Sequence, residues 1–128
     1  MLLEDDAGLR FTFSAGLESA GHDVIALSSC SEAIQALKTF KPDVLVLDLL
    51  IDDGSSIEVA SFANYAAPEA EVVYVTGSGM FPRGELFNMV NNLRWVLRKP
   101  IQIADLNDMI SHVALRQSET ALSFGQAG

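Results

Sequence analysis

The sequence predicts an α/β domain: one parallel five-stranded sheet between two layers of helices, a three-layer (βα)5 sandwich. Three observations carry that prediction. Short β-branched runs alternate with longer amphipathic stretches along the chain. The run Val44-Leu45-Val46-Leu47 is apolar throughout rather than alternating, as a strand covered on both faces requires. The length, 128 residues, fits one compact domain and leaves little room for a second.

Met1 to Leu3 is a short apolar run ending at the acids Glu4, Asp5 and Asp6. From Ala7 to Ala20, Leu9, Phe13 and Leu17 recur every four residues with Gly16 and Ala20 beside them, and Gly21 stops the helix. Val24 to Leu27 reads as a strand. Ser29 and Glu32 stand at capping-box spacing, opening a helix whose Ala33, Ile34 and Leu37 face inward and which Lys41-Pro42 breaks. Val44 to Leu47 is the third strand. Turn residues follow at 52–56, then a helix from about Ile57 to Tyr65. Val72 to Val75 is a buried strand ending at Thr76-Gly77. A stretch rich in Gly and Pro at 77–84 precedes a short helix near Glu85 to Asn91. Trp95 to Leu97 gives the fifth strand, and Ile103, Leu106, Ile110 and Val113 stripe the last helix. Residues 1–115 make the domain. Residues 116–128, polar and weakly patterned, extend that helix, fray, or form a linker stub.

Alternation of this kind implies right-handed crossovers, and the flavodoxin-like strand order 2-1-3-4-5 is a standard solution at this size. In such sheets the functional crevice lies beyond the C-terminal ends of the strands. Glu4 and Asp5 end the first strand, Asp48 the third, Thr76 the fourth and Lys99 the fifth, so all five point into one crevice. Three crowded carboxylates repel one another and raise each other's pKa. A hard divalent cation relieves that, and magnesium accepts a few carboxylate oxygens while keeping several waters. The Thr76 hydroxyl and the Lys99 ammonium supply donors for a phosphoryl group, whose transfer needs mainly positioning and charge neutralisation.

Composition excludes several alternatives. Lys plus Arg number 8 against 17 Asp plus Glu, a net charge of −9, which argues against a nucleic-acid-coating surface. The single cysteine, Cys30, excludes an internal disulfide and reads as a packed or capping thiol. No apolar run reaches membrane-spanning length and the first residues resemble no signal peptide, so the cytoplasm is the expected location.

The ordered pieces Leu-Leu-Glu-Asp-Asp at 2–6, Pro-Asp-Val-Leu-Val-Leu-Asp-Leu at 42–49, Asp-Gly-Ser at 53–55, Val-Thr-Gly at 75–77 and Arg-Lys-Pro at 98–100 resemble the receiver domains of bacterial two-component response regulators. Each piece alone is weak; their order and separations make the set specific. The resemblance implies that Asp48 is the phosphoacceptor and that Glu4, Asp5, Asp48 and the Leu50 carbonyl hold Mg2+. It implies that Thr76 is the switch hydroxyl, that Gly77 leaves space and offers its N–H, and that Lys99 binds the phosphoryl group. The bond before Pro100 is expected to be cis, as in the family. The resemblance further implies a regulatory phosphoacceptor rather than an enzyme. Its donor is a sensor histidine kinase or a histidine phosphotransfer protein, its effector is open, and homodimers are admitted. Slow self-dephosphorylation is expected because Leu50 cannot orient a hydrolytic water.

Some positions depart from the receiver pattern. Val96 stands three residues before the lysine, where many receivers carry a Tyr or Phe, and Trp95 beside it faces the other side of the strand. Asp52 occupies the neighbourhood of a usual Pro. Such departures keep a second reading open: a pseudo-receiver that binds partners without using phosphorylation. A haloacid-dehalogenase-type hydrolase needs a second Asp where Leu50 stands, and a flavodoxin needs a phosphate loop after the first strand. Phe11 falls on the helix face opposite Leu9 and Phe13, either exposed for docking or folded against a neighbour. His22 and His112 read as surface residues.

Overall fold

In a computed structural model of the chain, the described residues are 1–48, 50–51, 54–76 and 93–127. In chain order they form β1 (Leu2–Leu3), α1 (Ala7–Ser19), β2 (Ala26–Leu27), α2 (Cys30–Thr39), β3 (Val44–Asp48), β4 (Leu50–Ile51), β5 (Gly54–Ser55), α3 (Ser56–Ala66), β6 (Glu71–Thr76), β7 (Leu93–Arg98) and α4 (Ile103–Ala127). Five strands pair in parallel in the order β2-β1-β3-β6-β7, which is the expected 2-1-3-4-5 when main-sheet strands alone are numbered. The short helix expected near Glu85 to Asn91 lies outside the described residues.

The period of two in each strand divides the apolar residues between two cores. Leu3, Leu45, Leu47, Val72 and Tyr74 pack on one face with Cys30, Ala33 and Leu37 of α2 and Val59, Ala60 and Ala63 of α3. Leu2, Val46, Val73 and Val75 pack on the other with Phe13 and Leu17 of α1 and Leu106 and Ile110 of α4. Both faces of β3 are thus covered, which is why its sequence does not alternate. Each such Leu or Val contributes roughly 1.5–3 kcal/mol when fully buried.

Helix ends follow local chemistry. Asp6 caps α1, its Oδ1 accepting from the Leu9 N–H at 2.8 Å. At the far end Gly21 takes φ 97°, with Gly21 N–H donating to Glu18 O and His22 N–H to Leu17 O. That is the paired bonding of a Schellman stop, and only glycine enters that φ without strain. Ser29 caps α2 by accepting from the Glu32 N–H, and the Glu32 carboxylate accepts from the Ser28 and Ser29 hydroxyls. Those bonds hold the Glu32 pKa below its ordinary value. Against α4, Gly16 leaves room for Ile103, which a Cβ at that position would overlap, and Asn107 Nδ2 donates to Gly16 O at 3.2 Å.

The structure corrects two boundaries and fixes a third that the sequence left open. Of the expected strand Val24 to Leu27, Ala26 and Leu27 alone pair, because the neighbouring β1 offers two residues to pair with. The segment read as a plain turn contains an antiparallel pairing, Leu50 with Ser55 and Ile51 with Gly54. The helix α4 continues through residues 116–127, choosing extension among the possibilities left open. No helix among the described residues is long and apolar enough to cross a membrane.

Candidate functional site

Strand register assembles the site. Leu3 pairs with Leu47, so the residues just beyond, Glu4 and Asp48, stand side by side at the edge of the sheet. Asp48 pairs with Val75 and Thr76 with Arg98, which puts Thr76 and then Lys99 further out along the same rim. One carboxylate oxygen from each of Glu4, Asp5 and Asp48 lies within 4.8 Å of the others. The sequence expectation that residues 5 and 48 approach closely enough to share an ion is met.

The turn at Glu4–Asp6 is tightly held. The Glu4 N–H donates to Leu27 O at 3.1 Å, which keeps the residue on the sheet ladder. Glu4 Oε1 accepts from the Asp6 N–H at 3.1 Å and Glu4 Oε2 from Lys99 Nζ at 3.0 Å. The same ammonium donates to Asp48 Oδ2 at 3.1 Å. Glu4 is 1% exposed and Asp48 5% exposed, so two carboxylates sit out of water around one cation. Burial pushes the Glu4 pKa up to about 7; the Lys99 hydrogen bond pulls against that rise and the Asp48 neighbour adds to it. Burial alone would lower the Lys99 pKa, but its bonds to Glu4 and Asp48 prevail and hold it above the ordinary value.

This donor set fits magnesium. Oxygens at 2.0–2.1 Å from such an ion stand up to about 4.2 Å apart across it, and the three carboxylate oxygens already lie within 4.8 Å of one another. Three carboxylates crowd together with Lys99 bonded to two of them, and such crowding of negative charge favours a divalent cation. Glu4, Asp5 and Asp48 could therefore hold one.

The sequence matches the response regulator receiver domain family over residues 1–111. The chain belongs to that family. A curated receiver relative, the response regulator receiver protein CpdR of Brucella abortus, is 24% identical over 90% of this chain and 95% of its own length. The alkaline phosphatase synthesis transcriptional regulatory protein PhoP of Bacillus subtilis is 26% identical over 94% of this chain, which spans 50% of the length of that relative. Among solved structures, a CheY-like receiver domain from Methanospirillum hungatei superposes with a TM-score of 0.85 at 18% identity, over 93% of this chain and 94% of that one. A response regulator from Burkholderia pseudomallei, described with a phosphorylated aspartic acid, calcium ion and citrate, superposes at 0.74 with 20% identity, over 95% of this chain and 72% of that one.

The remaining receiver positions fall as follows. Leu50 opens β4, two residues past Asp48, and Thr76 closes β6. Gly77, like Asp52, lies outside the described residues. The Lys99–Pro100 peptide is cis, as the resemblance implied. Val96 packs partly buried in the α2–α3 core, paired in register with Tyr74, while Trp95 packs in the opposite core with its ring edge-on to His112 at 6.2 Å. Of the two placements left open for Phe11, the structure shows the exposed one, at 76%. Cys30 is a buried, packed thiol.

Two contributors to the site, Asp6 and Arg10, have no role in the sequence reading. Asp6, absent from the ligand set that the resemblance implies, is the α1 cap; an Asp directly before a helix is the available signal. Arg10 Nη1 donates to Glu4 O at 3.0 Å and Asp5 O at 3.4 Å, a role that depends on turn backbone and leaves no sequence signature. Tyr74 is fully buried two residues before Thr76, with its hydroxyl beside Ser56 and its pKa raised by burial.

Proposed function

We propose that this receiver is a phosphorylation-dependent switch that accepts a phosphoryl group on Asp48 with Mg2+ held by Glu4, Asp5, Asp48 and the Leu50 carbonyl. The observation that carries the reading is the convergence of three carboxylates within 4.8 Å, with Lys99 bonded to two of them. The B. pseudomallei protein, alike in fold and described with a phosphorylated aspartic acid and a divalent ion, supports it. The donor is a sensor histidine kinase or a histidine phosphotransfer protein, and the phosphorylated unit is residues 1–115.

An Asp48 carboxylate oxygen attacks phosphorus in line; the new O–P bond forms as the P–N bond to the donor histidine breaks, and the imidazole leaves with its electron pair. Magnesium, when bound, supplies charge neutralisation for the carboxylates and the phosphoryl oxygens. Lys99 exchanges its Asp48 contact for a phosphoryl oxygen, and the Thr76 hydroxyl and Gly77 N–H donate to the others. Moving Thr76 biases a two-state surface. With Leu50 at its position, no side chain there orients water for hydrolysis, so the acyl phosphate is long-lived.

The test is labelling with a small phosphodonor and magnesium, followed by intact-mass spectrometry. Wild type gains one phosphoryl group and Asp48→Asn gains none; equal labelling of both overturns the assignment. The pseudo-receiver reading draws on Val96 in place of the aromatic. It predicts no saturable magnesium binding, which the same samples decide.

A further inference from the structure

Arg10 is a cation near the positive end of α1, where the helix dipole and the unpaired N–H groups disfavour it. Its side chain runs back toward the helix start, as helical side chains do, and reaches the turn that presents the acids. There one guanidinium nitrogen spans two successive carbonyls, those of Glu4 and Asp5. These oxygens belong to the residues whose side chains join Asp48 in the cluster. Glu4 is also fixed through its N–H, its Oε1 and its Oε2. Among the hydrogen bonds of the described residues, the Arg10 contact is the tie that reaches the Asp5 carbonyl from a side chain.

We infer that Arg10 is a positioning residue for the divalent cation: by clamping the Glu4 and Asp5 carbonyls it aims the Asp5 carboxylate at Asp48. This rests on the receiver reading of the site. A lysine at this position keeps the charge, but its nitrogen ends one atom short of the Nη1 position and sits on a more flexible stem, so it does not hold both carbonyls together. The inference therefore separates from plain electrostatics by sign. A nearby positive charge repels a divalent ion, so on charge alone Arg10→Gln binds magnesium more tightly and Arg10→Lys binds it as wild type does. On positioning, both variants bind more weakly.

The experiment is an amide NMR titration with magnesium chloride on wild type, Arg10→Lys, Arg10→Gln and Phe13→Leu. Phe13→Leu loosens the same helix through its buried face without touching the turn. Both Arg10 variants are expected to lose about tenfold in magnesium affinity, the lower end of the range for groups that orient a ligand. Phe13→Leu keeps wild-type affinity, and saturating magnesium returns the Asp48 labelling rate of Arg10→Lys to within about twofold of wild type. Tighter binding by Arg10→Gln, wild-type affinity in Arg10→Lys, or an equal loss in Phe13→Leu overturns the inference while leaving the receiver reading intact. A wild type with no saturable binding removes both.

Discussion

Lys99 Nζ and Glu4 Oε2 lie 3.0 Å apart although 95 residues separate them, and the same nitrogen reaches Asp48 at 3.1 Å. The first and last strands of the chain are thereby tied to its middle strand through one ammonium. The contact serves stability in the metal-free protein and phosphoryl binding in the proposed reaction.

Lys99→Met leaves Glu4 and Asp48 facing each other out of water. The lysine side chain is 21% exposed, so the loss is moderated by solvent; about 2 kcal/mol is expected from charged hydrogen bonds of this kind. Urea unfolding in EDTA measures it. Magnesium should restore part of the loss, and labelling of Asp48 should fall sharply even at saturating magnesium.

The raised Glu4 pKa fixes a pH dependence. With a folded value of about 7 against an unfolded value near 4.3, the folded state binds the proton more tightly. The Glu4 contribution to stability in EDTA therefore falls as pH rises between those values and levels off above them. The Met1 amine, lowered to about 6 by burial, gives an opposite slope above pH 6 in both proteins, so the check is the difference: from pH 4 to 8 wild type should lose at most a few kcal/mol relative to Glu4→Gln. Lys99, raised above its ordinary value, contributes stability that is lost only at more alkaline pH, outside this window.

Gly16→Ala tests the approach of α1 to α4. Helix propensity favours alanine by about 1 kcal/mol, whereas overpacking against Ile103 costs about 1–3 kcal/mol. Net destabilisation is expected. Ile103→Ala, which removes the γ- and δ-carbons that a Cβ at position 16 would overlap, should relieve it, so the double variant should be more stable than the sum of the single changes predicts.

Phe11 and Phe13 sit two residues apart and should respond oppositely. Phe11 is 76% exposed, so Phe11→Ser should alter stability by no more than about 0.5 kcal/mol. Phe13 is 3% exposed, and Phe13→Ala should cost about 3–5 kcal/mol. Thermal unfolding distinguishes the pair. Lower phosphotransfer from a partner with Phe11→Ser, at unchanged small-donor labelling, would mark Phe11 as a docking residue.

Sheet order and the meeting of Glu4, Asp5 and Asp48, with Lys99 on Glu4 and Asp48, were legible because both follow from alternation: parallel strands align their C-terminal ends, and polar residues there have one crevice to enter. The facing of Trp95 and Val96 to opposite cores followed from the strand period. What stayed hidden depends on backbone shape rather than residue pattern. Arg10 acts on carbonyls, which every residue carries, so its partners could not be read from side-chain types. The β4–β5 pairing joins two-residue strands, too short for any periodicity to register. The length of β2 was set by its neighbour and not by its own apolar run.

The stepwise register of β3, β6 and β7 has a consequence for how this molecule can change. Slipping a strand by one residue would turn its side chains to the opposite face and carry its terminal group off the rim together. A single-residue insertion or deletion is therefore tolerated in these strands only where a bulge absorbs it before the rim, as the register shift between Val72 and Val73 does opposite β7, and length variation otherwise falls in the connections between them. Anyone transplanting this chemistry to another scaffold must move three strands in phase, because the spacing that matters is counted across the sheet and not along the chain.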